Sequence, residues 1–268
     1  MQAARPSTCA AQALKVDPRI YTQGKSAEET SIAQLPAGVA DSVKRYLAEQ
    51  APARVALVGD GWPTGMTSSA ETTSLKGYVR TLSTHRQGTR SPYTGTVAVN
   101  LFPHYNAYLV RVLLLSAAKQ LIIVVVDHAA NSLFNAKRDD PLRALIGSAY
   151  RVVARERGNA TRPGMVLLRP VRPEEADAVG SLLRFLIDHP QAKLVNAWRE
   201  ALIAWGTRQG RRLSKNLARG VIERQRLGLI HAQSYLSELS PSDLRTLVVA
   251  VEQTLATLDQ ESHEEQPE

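Results

Sequence analysis

The run Leu121-Ile122-Ile123-Val124-Val125-Val126 is apolar at every position and β-branched at all but the first. It lacks the alternation of a half-solvated strand. It therefore predicts a strand covered on both faces, as in the centre of a parallel sheet flanked by helices. Asp127 closes the run and begins a polar segment with His128 and Asn131.

Three further strands are predicted around it, over 54–58, 96–102 and 165–169. Helices are predicted before and between them. The first covers 39–50, where Val39, Val43, Tyr46 and Leu47 recur at helical spacing. The next covers 69–84, where Ser68 and Glu71 have capping-box spacing ahead of the stripe Leu75, Tyr78, Val79 and Leu82. A third covers 104–119, and a helical region over 132–157 is broken at Pro141. Four strand–helix alternations predict an α/β protein with a doubly wound, mostly parallel sheet, RecA-like or Rossmannoid, over residues 38–172. From 173 to 258 the pattern turns helical, over 174–187, 191–205, 212–235 and 242–258, the last introduced by Ser240-Pro241-Ser242-Asp243. This predicts a C-terminal helical extension. Residues 1–37 read as a flexible arm and 259–268 as an acidic, disordered tail.

In an open parallel sheet, ligands bind beyond the carboxyl ends of the strands. The first predicted strand runs into Gly59-Asp60-Gly61-Trp62-Pro63-Thr64-Gly65-Met66-Thr67. Glycines there let backbone N–H groups approach an anion. Gly59, Gly61, Gly65, Thr67 and Asp127 are accordingly the candidate ligand-binding residues. The glycine spacing is near that of dinucleotide and S-adenosylmethionine loops, although no acid ends the strand over 96–102, where Asn100 stands. The other strand ends offer His104, Arg169 and Arg172.

Against the P-loop pattern G-x-x-x-x-G-K-[ST], the segment from Asp60 to Thr67 keeps the second glycine and the hydroxyl, but has Asp60 for the first glycine and Met66 for the lysine. A thioether cannot neutralise phosphate, and a carboxylate repels it. With the Leu121–Val126 run ending in Asp127, this order resembles RecA-like P-loop ATPases. The words Gly61-Trp62-Pro63-Thr64-Gly65 and Met165-Val166-Leu167-Leu168-Arg169-Pro170-Val171 resemble SulA-like relatives that lack the phosphate lysine. That resemblance covers 54–171 and implies a module that does not hydrolyse ATP.

Composition bounds the partners. The net charge is +8 and the isoelectric point about 9.8, which favours a polyanion. The densest positive stretch holds Arg208, Arg211, Arg212, Lys215, Arg219 and Arg226, placed on a basic amphipathic helix from 212, and a basic loop adds Arg86 and Arg90. These are the candidate nucleic-acid contacts. Aromatics make up 5%, too few for a stacking platform, and Trp198 and Trp205, two helical turns apart, are read as helix–helix core. The six histidines and one cysteine show no metal-ligand spacing, and no catalytic set emerges. One cysteine, no signal segment and no apolar run of bilayer length predict a cytoplasmic protein that does not enter a membrane. The resulting expectation is a non-hydrolysing RecA-like module that binds nucleic acid, a protein partner or a second copy, in replication, recombination or mobile-element maintenance. The alternatives are a nucleotide- or S-adenosylmethionine-binding α/β enzyme using the Gly59–Gly65 loop, and a structural or assembly protein. No cofactor is identified from the sequence.

Overall fold

The computed structural model describes residues 34–66, 70–84, 93–102, 106–134, 140–159, 162–225, 227 and 233–264. Most of the expected arm and the last four residues of the tail lie outside them, as do Arg86 and Arg90 of the basic loop.

One six-stranded sheet organises the chain: β1 (Val55–Val58), β2 (Glu71–Thr73), β3 (Thr96–Asn100), β4 (Gln120–Val125), β5 (Tyr150–Glu156) and β6 (Gly164–Pro170), in the order β2-β1-β3-β4-β6-β5. The first four strands in that sequence are parallel neighbours; β6 is antiparallel to both β4 and β5. With helices on both faces, this is the doubly wound, mostly parallel α/β sheet expected.

Strand side chains alternate between two cores, as the two-residue period of a strand requires. Ala56, Val58, Val97, Val99, Leu121, Ile123, Val125, Val166 and Leu168 enter one cluster. Val55, Leu57, Ala98, Ile122, Val124, Met165 and Leu167 enter the other. The second face is covered by α1 (Ala37–Gln50) through Val39, Ala40, Val43 and Leu47, together with Trp62 and Met66 from the glycine loop. The first face carries α2 (Leu75–Thr84), α3 (Asn106–Leu115), α4 (Asp127–Phe134), α5 (Pro141–Ala149), α6 (Ala178–Asp188), α7 (Leu194–Arg208), α8 (Lys215–Glu223) and α9 (Pro241–Glu264), all contributing to its one hydrophobic cluster. Burying each Val, Leu or Ile side chain of this kind contributes about 1.5–3 kcal/mol. The apolar run over 121–126 is therefore the natural centre.

Local signals explain the helix starts. Ser240 accepts the Asp243 N–H at 3.2 Å while Asp243 Oδ2 accepts the Ser240 N–H at 3.1 Å, a reciprocal cap ahead of α9. Asp140 caps α5 by accepting the Leu142 N–H at 3.0 Å, with Pro141 in the first turn. Asp140 also takes two bonds from Arg245, both 2.9 Å, which clamp α9 to α5.

Three expectations are corrected. The helix over 69–84 begins only at Leu75, because Glu71-Thr72-Thr73 pairs with β1, and Ser74 is the cap, accepting the Gly77 N–H at 3.1 Å. The proposed cap Ser68 lies outside the described residues. The helical region over 132–157 yields α4 and α5, and its last part is β5, whose Val152 and Val153 suit an extended edge strand. The helix over 212–235 shrinks to α8, capped by Ser214 through the Leu217 N–H at 3.1 Å.

The RecA-like P-loop resemblance, with its SulA-like relatives, is overturned. A P-loop leads straight into a helix whose first turn presents the lysine position to phosphate. Here about a dozen residues cross to a parallel strand, near the shortest connection such a crossover allows. The lysine position, Met66, is buried in the second core at 5% exposure. An antiparallel strand, β6, is moreover inserted between β4 and the edge strand β5.

Candidate functional site

β2 lies on one side of β1 and β3 on the other, so the winding direction changes at β1. A crevice opens where such a reversal leaves the carboxyl ends of two neighbouring strands without a shared connection, and ligands of open α/β sheets bind there. In this chain that point is the pair β1 and β3, where Gly59 follows β1 and Asn100 ends β3.

The loop is held from three sides. Gly59 has φ +89°, and a Cβ there would stand 2.6 Å from the Asn100 carbonyl oxygen, so only glycine lets the two strand ends meet. Asn100, 1% exposed, donates from Nδ2 to the Asp60 carbonyl at 2.6 Å and accepts the Phe102 N–H on Oδ1 at 3.0 Å. The Trp62 indole donates to the Val58 carbonyl at 3.0 Å, and the Leu35 N–H donates to the Gly61 carbonyl at 3.1 Å. The carbonyls of Val58, Asp60 and Gly61 are thus engaged. Among the described residues the N–H groups of Asp60 and Gly61 have no acceptor. A loop of this kind presents donors to a ligand, with the exposed Asp60 carboxylate beside them.

Gly61 and Gly65 also have positive φ, at 81° and 76°. Gly65 is exposed with open space around it, whereas Thr67 lies outside the described residues. Asp127, the first residue of α4, sits at the carboxyl end of β4 with its Oδ1 accepting from Arg155 Nη2 at 3.3 Å and from the Gly158 N–H at 3.2 Å. Arg155 Nη2 also reaches Asn131 Oδ1 at 2.8 Å. The carboxylate therefore ties β5 and its following turn to the same end of the sheet as Gly59. The His128 side chain is outside the described set.

The reversed direction of β6 carries Arg169 and Arg172 to the opposite end of the sheet. There Arg169 forms a two-pronged pair with Glu175, at 2.6 and 2.8 Å, and the Arg172 N–H adds a third bond at 2.9 Å. The Arg169 hydrogen bonds, then the Arg172 N–H, hold the Glu175 carboxyl at about 2, from an ordinary 4.5. A depressed carboxyl stabilises the fold above its unfolded value, and that contribution is lost as pH falls through the folded value. Acid titration followed by carboxyl-carbon NMR is expected to find Glu175 ionised down to about pH 2. Glu175→Gln is expected to remove the part of the acid stability loss that falls between 4.5 and about 2. A cavity of about 600 Å³ between α5, the start of β5 and α6 also opens at this far end, away from the glycine loop.

The basic residues fall on one connection. Arg208 ends α7, Arg211 and Arg212 lie in the turn, and Lys215 begins α8. Arg208, Arg212 and Lys215 are exposed, with no ion-pair partner among the described residues. Arg211 pairs with Asp259 at 3.2 Å and Arg219 with Glu223 at 2.7 Å; Arg226 is outside the described set. Trp198 and Trp205 are core residues as expected, at 0% and 5% exposure.

Sequence reasoning missed β2, Arg155 and the loop-facing role of Asn100. Thr72-Thr73 and Val152-Val153 were the available signals, since paired β-branched residues favour strands. Nothing local marks an Asn as the partner of a carbonyl forty residues away. Among the described residues no helix is long and apolar enough to cross a membrane, and no cluster of acidic, His or Cys side chains could hold a metal.

No protein-family model matches the sequence, and no curated protein matches it. Among solved structures the chain is similar to the crystal structure of the 23S rRNA methyltransferase ErmE, at 12% identity and a TM-score of 0.37, over 82% of this chain and 100% of that one. It is similar also to a dimethyladenosine transferase from Plasmodium falciparum, at 14% identity and a TM-score of 0.38, over 82% of this chain and 98% of that one.

Proposed function

We propose that this chain binds S-adenosylmethionine in the crevice between the carboxyl ends of β1 and β3, and meets nucleic acid through the basic connection of α7 and α8. The observation that carries the ligand site is the reversal of winding at β1, with a glycine loop pinned there by Asn100 and Trp62 and the N–H groups of Asp60 and Gly61 without an acceptor among the described residues. Asp60 favours a ligand with a positive centre over a polyphosphate. The fit is incomplete in one respect: the ribose-gripping carboxylate of such loops, expected at the end of β2, is replaced by Thr73 and Ser74. The donor loop would hold the ligand and the crevice would orient it. Methyl transfer to a base nitrogen depends mainly on such alignment in a dry site.

Calorimetric titration with S-adenosylmethionine and, separately, ATP with Mg²⁺ tests the ligand. S-adenosylmethionine is expected to bind, and Asp60→Asn to weaken it several-fold, by roughly the 1 kcal/mol of one charge pair near 4 Å in water. Binding of ATP alone would replace this reading with a nucleotide-binding one.

The nucleic-acid half is supported by Arg208, Arg212 and Lys215, three exposed cations without an ion-pair partner among the described residues. Arg212→Glu with Lys215→Glu is expected to weaken RNA and DNA binding uniformly across sequences and to lower the log–log salt slope by about 2. Unchanged affinity in a salt series would remove this surface from consideration.

A further inference from the structure

One long edge of the sheet is unpaired. β5 bonds to β6 on one side, and among the described residues no strand lies on the other. Arg151, Val152, Val153 and Ala154 are all exposed, Val152 at 44% and Val153 at 55%, more than any other large apolar side chain among the described residues. The cavity at the far end is lined by Arg151 and Val152 as well as by α5 and α6, so an incoming strand has room beside it there. Exposed edges are usually blunted by charged residues or a bulge. β5 has both, in a pattern complementary to itself. Val152 pairs with Leu168 and Ala154 with Leu167, which leaves Val153 as an extra residue in the ladder. Facing residues of a strand pair share a face, and Leu168 and Val166 enter the first core while Leu167 and Met165 enter the second. Val152 and Arg155 therefore take the first face, and Ala154 and Glu156 the second. Arg151, next to Val152, takes the second as well. In a regular strand residues five apart lie on opposite faces. The extra residue is what puts Arg151 and Glu156 on the same one.

We propose that two copies of the chain join antiparallel through β5 about a two-fold axis, in the register that sets Arg151 opposite the partner's Glu156, twice over, and Val152 opposite the partner's Arg155. Facing residues then share a face, because Arg151 and Glu156 share one within the strand and Val152 and Arg155 share the other. A shift of one residue either way would oppose Arg151 to the partner's Arg155 or to the partner's Arg157, and like charges across a strand pair repel. A regular strand has no counterpart for Val153, whereas a second β5 brings the same extra residue to the same place. The charges and the bulge that turn other strands away thus admit this one. The pairing covers Val152 and Val153 and makes the two sheets continuous. An interface built on a single strand pair belongs to the small class, below about 1,200 Å² of buried surface, so the dimer is expected to dissociate on dilution.

The test is sedimentation equilibrium of the full chain from about 1 µM to about 1 mM, on the wild type, Arg151→Glu, Glu156→Arg and the two substitutions combined. The wild type is expected to dimerise within that range. Each single substitution makes both facing pairs repulsive and is expected to weaken the dimer about tenfold or more, as two opposed pairs are lost and two like-charged ones gained. The combined variant exchanges the two signs, leaves the net charge unchanged and is expected to dimerise as the wild type does. A wild type still monomeric at the highest concentration, a dimer that neither single substitution weakens, or a combined variant no better than the single ones overturns the proposal.

Arg151 also donates to the Gly147 and Glu175 carbonyls, at 3.0 Å each, so the folding of Arg151→Glu is checked by thermal unfolding. If it fails to fold, Glu156→Arg and Val153→Asp carry the test, since Glu156 gives up an exposed pair with Arg45 and Val153 is itself exposed. Both are then expected to weaken the dimer, and unchanged association of both overturns the proposal. Amide hydrogen exchange reads the same contact independently. Exchange over 151–156 is expected to slow between dilute and concentrated wild-type protein. A dimer that forms while exchange there stays the same pairs through another surface, and the proposal fails.

Discussion

Trp198→Ala is expected to cost about 3–5 kcal/mol, the range for deleting a large aromatic side chain from a core. Trp198 is 0% exposed in α7 and packs in the cluster that joins α5, α6, α8 and α9 to the sheet. In a chain of this size, each kcal/mol lowers the melting temperature by about 2–4 °C. Its indole Nε1 is buried with no hydrogen-bond partner among the described residues. Trp198→Phe removes that donor together with part of the volume. A buried donor without a partner carries a penalty of about 1–3 kcal/mol, which offsets the smaller cavity. The phenylalanine variant should therefore lose far less than the alanine variant. Urea unfolding at unchanged m-value checks both. A phenylalanine variant as unstable as the alanine one would mean that the indole N–H has a partner. Since α7 ends at Arg208, the alanine variant should also loosen the basic turn and weaken polyanion binding.

Gly59→Ala against Gly65→Ala separates backbone conformation from crowding. Both glycines have positive φ, +89° and +76°, so either alanine meets the left-handed penalty of about 1–2 kcal/mol. Only at Gly59 does the new Cβ meet backbone, 2.6 Å from the Asn100 oxygen, while nothing lies within 4 Å at Gly65. Asn100 cannot withdraw, because both ends of its amide are bonded and its chain is part of β3. Overpacking of that kind adds about 1–3 kcal/mol. Gly59→Ala should lose about 2–5 kcal/mol in all, and Gly65→Ala about 1–2. At temperatures where both remain folded, Gly59→Ala should also abolish the S-adenosylmethionine binding proposed above, by parting β1 from β3. Equal losses at the two positions would show that the strand ends are not in close contact.

These variants probe the features that differed in how far they could be read from sequence. The run over 121–126, the stripe in α2, the buried Trp198 and Trp205, the break at Pro141 and the cap at Ser240 are written in residues a few positions apart. Helical and strand periods act over that range, so the elements and the α/β class were legible. The glycine loop was legible as a loop after a strand. It was misread as a P-loop because glycine spacing reports backbone freedom, and not whether helix or strand follows.

Local chemistry, then, determined which segments are apolar, where most helices start and that a mostly parallel sheet would hold the core. Tertiary structure alone decided that Glu71–Thr73 pairs with β1, that β6 runs against its neighbours and that Met66 is core. It also decided that Asp127 meets Arg155 and Arg211 meets Asp259. Each of these depends on hydrogen bonds, ion pairs or apolar packing between residues distant in the chain, whose worth exists only once the sheet and helices have brought them together. Reversing one strand moved Arg169 and Arg172 to the far end of the sheet and brought Arg155 and Gly158 to the near end. The composition of the candidate site follows from that choice of direction.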